Sequence, residues 1–302
     1  MIADVIGYLR CPHCHDGLAL SGGTARCPHR HTFDVARQGY LSLLARGALV
    51  QNADTAAMVD ARRTFLAAGH YRFLAEALAV QAAAAQAAGQ AAGRAAAVRA
   101  AAQAGSTVDG CVLDVGGGTG YHLARVLDAL PGRRGVVLDV SRHAARHAAR
   151  AHPRADVVVA DAWRPLPVRT AAAALVLNVF APRNGTELRR VLRPDGALVV
   201  VTPTAAHLAE LRGPLGLLAV DPHKRQRVAD QLDRHFGRRS EQRHERALRL
   251  SRADIGALVA MGPNARHRGG ALAEAVRRLP EHCTVTASLR TVTYWPRPER
   301  GS

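Results

Sequence analysis

Three of the chain's five cysteines fall in one short run, "CPHCHDGLALSGGTARCPHRH", between Cys11 and His31. Cys11 and Cys14 have two residues between them, and Cys27 is followed four positions later by His31. Thiolate and imidazole are the ligands a zinc ion takes. Four of them filling a tetrahedron leave no open position, which makes the site structural rather than catalytic. A redox Cys-x-x-Cys would leave Cys27 and His31 unexplained. His29 could stand in for His31, whereas His13 and His15 read as solvated or as neighbours of phosphate. Cys111 and Cys283 sit alone in apolar surroundings and read as core residues.

A second constellation lies in "VLDVGGGTGYH", Val112 to His122. An apolar strand carries Asp114 near its end and runs into Gly116, Gly118 and Gly120. Glycine permits a left-handed backbone and close approach to a ligand. No Gly-Lys-Ser/Thr follows, so this is not a Walker loop. The spacing Gly-x-Gly-x-Gly, with an acid two residues before it, resembles motif I of the class I S-adenosylmethionine methyltransferases, where acid and loop face the amino-acid end of the cofactor. Three further strand ends follow in order. "VVLDVS" ends on Asp139, suited to ribose hydroxyls, and "VVVADA" presents Asp161 toward an adenine amine. "LVLNVFAP" presents Asn178 where substrate chemistry occurs. Ligands of open α/β sheets sit at such carboxyl ends.

Positioning these groups requires strands and helices in alternation, and residues 110–203 read that way. Their Val/Leu runs are continuous rather than alternating, as in a parallel sheet covered on both faces. The expected class is therefore α/β: a class I, Rossmann-like methyltransferase domain over 106–302, preceded by a small zinc-binding module. That module, residues 1–45, contains a hairpin turning at Gly22–Gly23 and then an apolar helix or strand; forty-five residues bury little core, so a metal would compensate. Residues 46–105 read as a helical connector. Met58, Val59, Phe65 and Leu66 have helical spacing, Gly69 interrupts it, and the Ala-rich stretch 82–105 reads as a helix tail and tether with little to pack. The end, "CTVTASLRTVTYW", reads as a closing strand pair or hairpin.

The formal charge is +17 with 15 histidines uncounted, which favours a polyanionic partner, nucleic acid before membrane. "ARRTF", "RHAARHAARAH" and "RHFGRRSEQRHERALR" are the candidate phosphate contacts, each equally readable as a solvated helix face. No apolar run is long enough to span a bilayer, and no secretory signal opens the chain. Aromatic residues are 4% of the chain, so Ala, Val and Leu must fill the core.

Taken in order, "LRCPHC…CPHRHTFDVARQGYLSLL", "MVDARRTFLAAGHYRFL", "VLDVGGGTGYH" and "LNVFAPRN…ELRRVLRPDGALVVVTPTAAHLAEL" resemble the RlmA-type 23S ribosomal RNA guanine-N1 methyltransferases over nearly the whole chain. Within that family the likeness is to the branch containing the tylosin-resistance methyltransferase. The Ala-rich stretch departs from the family's shorter linker, and "GGG" replaces a Gly-Cys-Gly. The resemblance implies zinc on Cys11, Cys14, Cys27 and His31. It implies cofactor contacts from Tyr71, Gly118, Thr119, Gly120, Tyr121 and His207, beside Asp114, Gly116, Asp139 and Asp161. From the residues alone, Tyr71 reads as aromatic packing and His207 as a surface histidine. It further implies a cytoplasmic homodimer whose paired zinc modules grip a 23S rRNA hairpin. The reaction would be methylation of N1 of one guanine in the hairpin loop, the downstream of two neighbours, with resistance to tylosin-like macrolides. N1 of neutral guanine carries a proton, so a base or an anion-stabilising contact must assist; Asp161 and Asn178 are candidates, and none is singled out. Two other readings are a small-molecule methyltransferase of antibiotic biosynthesis, against which zinc and charge argue, and a non-catalytic zinc RNA-binding protein, against which the three intact acids argue.

Overall fold

The computed structural model describes residues 2–44, 53–99, 110–217, 224–262 and 264–297. The N-terminal segment forms a three-stranded antiparallel sheet of β1 (Ala19–Ser21), β2 (Thr24–Arg26) and β3 (Thr32–Asp34). Its first turn places Gly22 and Gly23 at φ +56° and +81°, the hairpin expected from the Gly-Gly pair. The next strand, β4 (Tyr40–Ser42), leaves this small sheet and pairs in parallel with a strand of the main one. The N-terminal segment thus supplies, through β4, an edge strand of the larger sheet.

Helices α1 (Ala56–Ala67) and α2 (Arg72–Arg99) follow. Thr55 caps α1 by accepting from the Met58 amide, which satisfies one of the free N–H groups of the first turn. Met58, Val59, Phe65 and Leu66 are its buried residues, as their spacing requires. Gly69, at φ +83°, makes the break between the helices. The Ala-rich stretch is not a bare tether over its first part. Ala82 and Ala85 are buried, and a Cβ at Gly89 would lie 2.4 Å from the Asp195 carbonyl oxygen. Small residues there let a helix lie directly on the backbone beneath it. Residues 100–105 of the stretch fall outside the described residues.

The main unit then alternates: β5 (Cys111–Val115), α3 (Tyr121–Ala129), β6 (Gly135–Asp139), α4 (Arg142–Ala148), β7 (Ala155–Val159), β8 (Ala173–Val179), α5 (Gly185–Val191), β9 (Leu192–Pro203), α6 (Ala209–Leu215), α7 (Lys224–Leu232), β10 (Phe236–Ser251), α8 (Arg252–Ala260), α9 (Asn264–Arg277) and β11 (His282–Pro296). The eight strands run β10-β11-β9-β8-β5-β6-β7-β4. All neighbours from β9 to β4 are parallel, and β11 is antiparallel to both β9 and β10. β5 and β7 are buried along their whole length, which explains their unbroken apolar sequence. The chain moves outward from β5 to β7, then returns to start β8 on the other side of β5. That switch point opens the crevice where such sheets bind ligands.

The end of the chain departs from the expectation in two respects, the first being that "CTVTASLRTVTYW" is one strand, β11, paired with β10 and β9 rather than folded on itself. The second is that "RHFGRRSEQRHERALR" is not a helix face but most of the long edge strand β10, whose central residues are nearly all exposed. A strand solvated on both faces shows no apolar alternation, so its sequence reads like a polar helix.

One apolar cluster joins the two sheets. Leu9, Cys11, Leu18, Cys27 and Phe33 of the N-terminal segment pack in the same buried group as Leu113, Val115, Leu138 and Val158 of the main sheet. A second cluster fills the opposite face beneath α2 and α3, and a third lies between α1, α8, α9 and the ends of β10 and β11.

Candidate functional site

The metal ligands expected from the sequence meet. Donor atoms of Cys11, Cys14, Cys27 and His31 all lie within 4.8 Å of one another. The Cys14 and Cys27 sulfurs are 3.5 Å apart, and His31 Nδ1 is 3.5 Å from Cys11 Sγ and 3.2 Å from Cys27 Sγ. Tetrahedral zinc with Zn–S near 2.3 Å and Zn–N near 2.05 Å requires edges of about 3.5–3.8 Å. The donor set and its spacing therefore fit a zinc ion. His13 donates its amide to Cys11 Sγ. His29 stands outside the cluster, on Asp16 at 2.9 Å and exposed, so His31 is the histidine placed to ligate.

The second site is a cavity of about 690 Å³ at the switch point. Tyr71, Asp114, Gly116, Gly118, Thr119, Tyr121, Asp139, Asp161 and His207 all line it. Gly120 sits just behind, starting α3 at φ +76°. Gly116 has a distinct reason to be glycine. It lies at φ +72°, and a Cβ would come within 2.5 Å of Ala181 Cβ. The glycine loop is thus interlocked with the turn after β8 rather than merely open to a ligand.

The acids are held in different ways. Asp139 accepts from the Gly118 amide through Oδ2 and from the Ser141 amide through Oδ1, both at 2.8 Å. Two fixed amides orient the carboxylate, and each oxygen keeps a lone pair for a hydroxyl. Asp161 accepts from the Trp163 amide at 2.9 Å. Asp114 is buried, and its Oδ1 has no hydrogen-bond partner. Burial, reinforced by the charge of Asp139, pushes its pKa up to about 7. A buried carboxylate without a donor is costly, so this end of the cavity suits a cationic group. The ammonium of an amino-acid tail meets that need, and the paired acceptors at Asp139 suit a ribose. The residues fit S-adenosylmethionine.

Tyr71 and His207 belong to this wall although they are far apart in sequence. Tyr71 Oη lies 3.3 Å from His207 Nε2, and His207 Nδ1 accepts from the Ser288 amide. An accepting Nδ1 puts the neutral ring's proton on Nε2, which donates to Tyr71. The tyrosine hydrogen is then directed elsewhere. Burial pushes its pKa well above the usual tyrosine value, so it remains a donor.

Asn178 is placed otherwise than expected. It is fully buried and does not line the cavity. Its Nδ2 donates to the Pro182 carbonyl and its Oδ1 accepts from Arg183. It braces the turn after β8. Of the two catalytic candidates, Asp161 lines the cavity and Asn178 does not.

Sequence reasoning missed several wall residues. Arg62 lies against Gly118, paired with Asp54 at 2.6 Å and donating to the Met261 carbonyl. His122 also lines the cavity, and burial, with the charge of Arg62 adding to it, pushes its pKa down to about 4. Trp163 and Phe180 stand at the same cavity. Arg62 lies in a motif singled out from the sequence, "ARRTF", but there as a phosphate contact rather than a cavity wall; the partners that bring these residues to the cavity come from other elements.

Residues 9–46 match the family described as RlmA, N-terminal, and residues 112–196 match a methyltransferase domain family. A protein of Micromonospora griseorubida named as a 23S rRNA (guanine-N(1)-)-methyltransferase is 50% identical over 301 residues, covering 98% of this chain and all of its own length. The chain belongs to the 23S rRNA guanine-N1 methyltransferase family. The Streptomyces fradiae 23S rRNA (guanine(748)-N(1))-methyltransferase is 48% identical, covering 99% of this chain and all of its own. Bacillus subtilis YxjB, named for the same activity, is 29% identical over 67% of both chains. Family membership carries the methyltransferase activity and sets aside both the biosynthetic small-molecule enzyme and the non-catalytic RNA binder. No helix among the described residues is long and apolar enough to cross a membrane.

Proposed function

We propose that this chain, acting in the cytoplasm as a homodimer, methylates N1 of the downstream guanine in a 23S rRNA hairpin loop, at the position named for the Streptomyces fradiae relative, and so confers resistance to tylosin-like macrolides. The observation that carries the reading is the cavity at the strand ends, with Asp114, Asp139 and Asp161 on one wall, in a chain 48% identical to that relative over its whole length.

S-adenosylmethionine supplies an electrophilic methyl group when bound. The protein's share is alignment of donor and acceptor. Asp114 would hold the ammonium, with Tyr71 donating nearby and His207 fixing that donor. Asp139 would take the ribose hydroxyls, and Asp161 the adenine amine. The acceptor side must also relieve guanine of its N1 proton. No residue is singled out for that step, since Asp161 is already given to the adenine amine. Cys11, Cys14, Cys27 and His31 would hold structural zinc. The exposed Arg142, Arg146 and Arg150 on and just after α4 offer phosphate contacts.

The test is methylation of deproteinised 23S rRNA by the zinc-loaded protein, followed by primer extension. N1-methylguanine blocks base pairing and stops the polymerase. A single new stop at the downstream guanine is expected; a stop only at its upstream neighbour, or none, overturns the site assignment. Light scattering with and without the hairpin checks the dimer, and a monomer in both conditions would exclude it.

A further inference from the structure

Among the described residues only three large apolar side chains are notably exposed: Val80, Trp163 at 64% and Phe180 at 45%. Two of the three stand at the same cavity, on the loops that follow β7 and β8. An exposed aromatic ring on a chain so poor in aromatics calls for a reason. Exposed aromatic rings grouped at one cavity mark a binding surface more often than scattered ones do.

Phe180 is also held at a cost. Its φ is +54°, a left-handed conformation that bulky residues rarely adopt. Three restraints keep it there. Its amide donates to the Val201 carbonyl, Asn178 ties down the Pro182 carbonyl, and Ala181 is wedged against Gly116. Strain fixed from three sides directs the ring outward, with its inner edge 6.4 Å from Tyr71 between ring centroids. Trp163 is placed similarly, with its amide bound to Asp161. Trp163 further lines a second cavity, of about 430 Å³, together with Arg183, Asn184, Thr186, Asp230, Arg234 and His235 among others. A polynucleotide leaving the first opening past Trp163 meets cationic side chains there, with Asp230 the one acid.

We propose that Trp163 and Phe180 are the stacking platform that receives the unstacked target guanine. The inference rests on the proposed RNA reading and adds to it the residues that bind the base. Enzymes acting on a base within RNA must draw it out of its stack, and flat aromatic faces replace the lost stacking. The arrangement explains why Phe180 is both strained and exposed.

The experiment uses full-length, zinc-loaded protein and a synthetic rRNA hairpin, in two versions: one with the target guanine and one abasic at that position. Trp295 is replaced by Phe, so that emission reports Trp163. Quenching by the guanine hairpin and not by the abasic one is expected. Trp163→Leu and Phe180→Leu should each lower kcat/KM for the hairpin about 10- to 100-fold, the range that loss of one base–aromatic stack gives. Phe180→Tyr should retain most of it, and melting temperatures check that each variant is folded. Equal quenching by both hairpins, or kcat/KM within twofold of wild type in both Leu variants, overturns the platform. A wild-type protein that methylates no RNA yet shows guanine-dependent quenching overturns the activity reading and leaves the platform standing.

Discussion

Asp114 is the residue whose chemistry is most exposed to test. Its carboxyl ionises near its usual value of 3.8 in the unfolded chain and near 7 in the folded one, because burial and Asp139 oppose the charge. Between these values the unfolded state holds fewer protons than the native state. Stability without cofactor therefore falls as pH rises from about 4 to about 7 and is level above. Cofactor binding reverses the preference, since an ammonium beside Asp114 favours the carboxylate. Binding at pH 6 should then release ~1 proton, measurable by titration calorimetry in buffers of different ionisation enthalpy. Asp114→Asn should abolish that release. Proton release that persists in the variant would place the titrating group elsewhere.

At the scale of elements, α2 offers a case where propensity and packing give opposite signs. Gly89→Ala in a free helix would stabilise by about 1 kcal/mol. Here the new Cβ would press on the Asp195 carbonyl at 2.4 Å, and backbone cannot move aside cheaply. Overpacking of this kind costs about 1–3 kcal/mol, so net destabilisation by about 1 kcal/mol is expected in urea denaturation. A stabilised variant would mean that the helix lifts off the sheet. Such contacts show what the sequence could and could not convey. The zinc ligands and the strand-end acids were legible because their chemistry depends on spacing along the chain. The ring of Phe180, the brace at Asn178 and the packing of Gly89 were not, because each depends on a neighbour distant in sequence. β10 was misread for a related reason: an edge strand in water loses the apolar alternation by which strands are recognised.

Across the whole molecule, the metal site and the main sheet share one apolar cluster. Removing zinc should therefore disturb more than a small appendage. Treatment with a strong chelator is expected to lower the melting temperature of the entire chain in one transition. The drop should be about 10 °C or more, if the lost binding energy amounts to several kcal/mol. A separate low-temperature transition, with the rest of the chain melting unchanged, would show instead that the N-terminal segment folds alone. The distribution of charge fits the same view, since the basic α4 face and the arginine-lined second cavity lie on the unit that carries the cofactor pocket.

The pairing of β4 with β7 also constrains the order of events during synthesis. The metal ligands Cys11 to His31 are translated before the main-sheet residues that share their apolar cluster. β4 must likewise wait, unpaired, until Ala155–Val159 has been translated. Zinc supply and elongation rate should thus bear jointly on how much nascent chain reaches the native state.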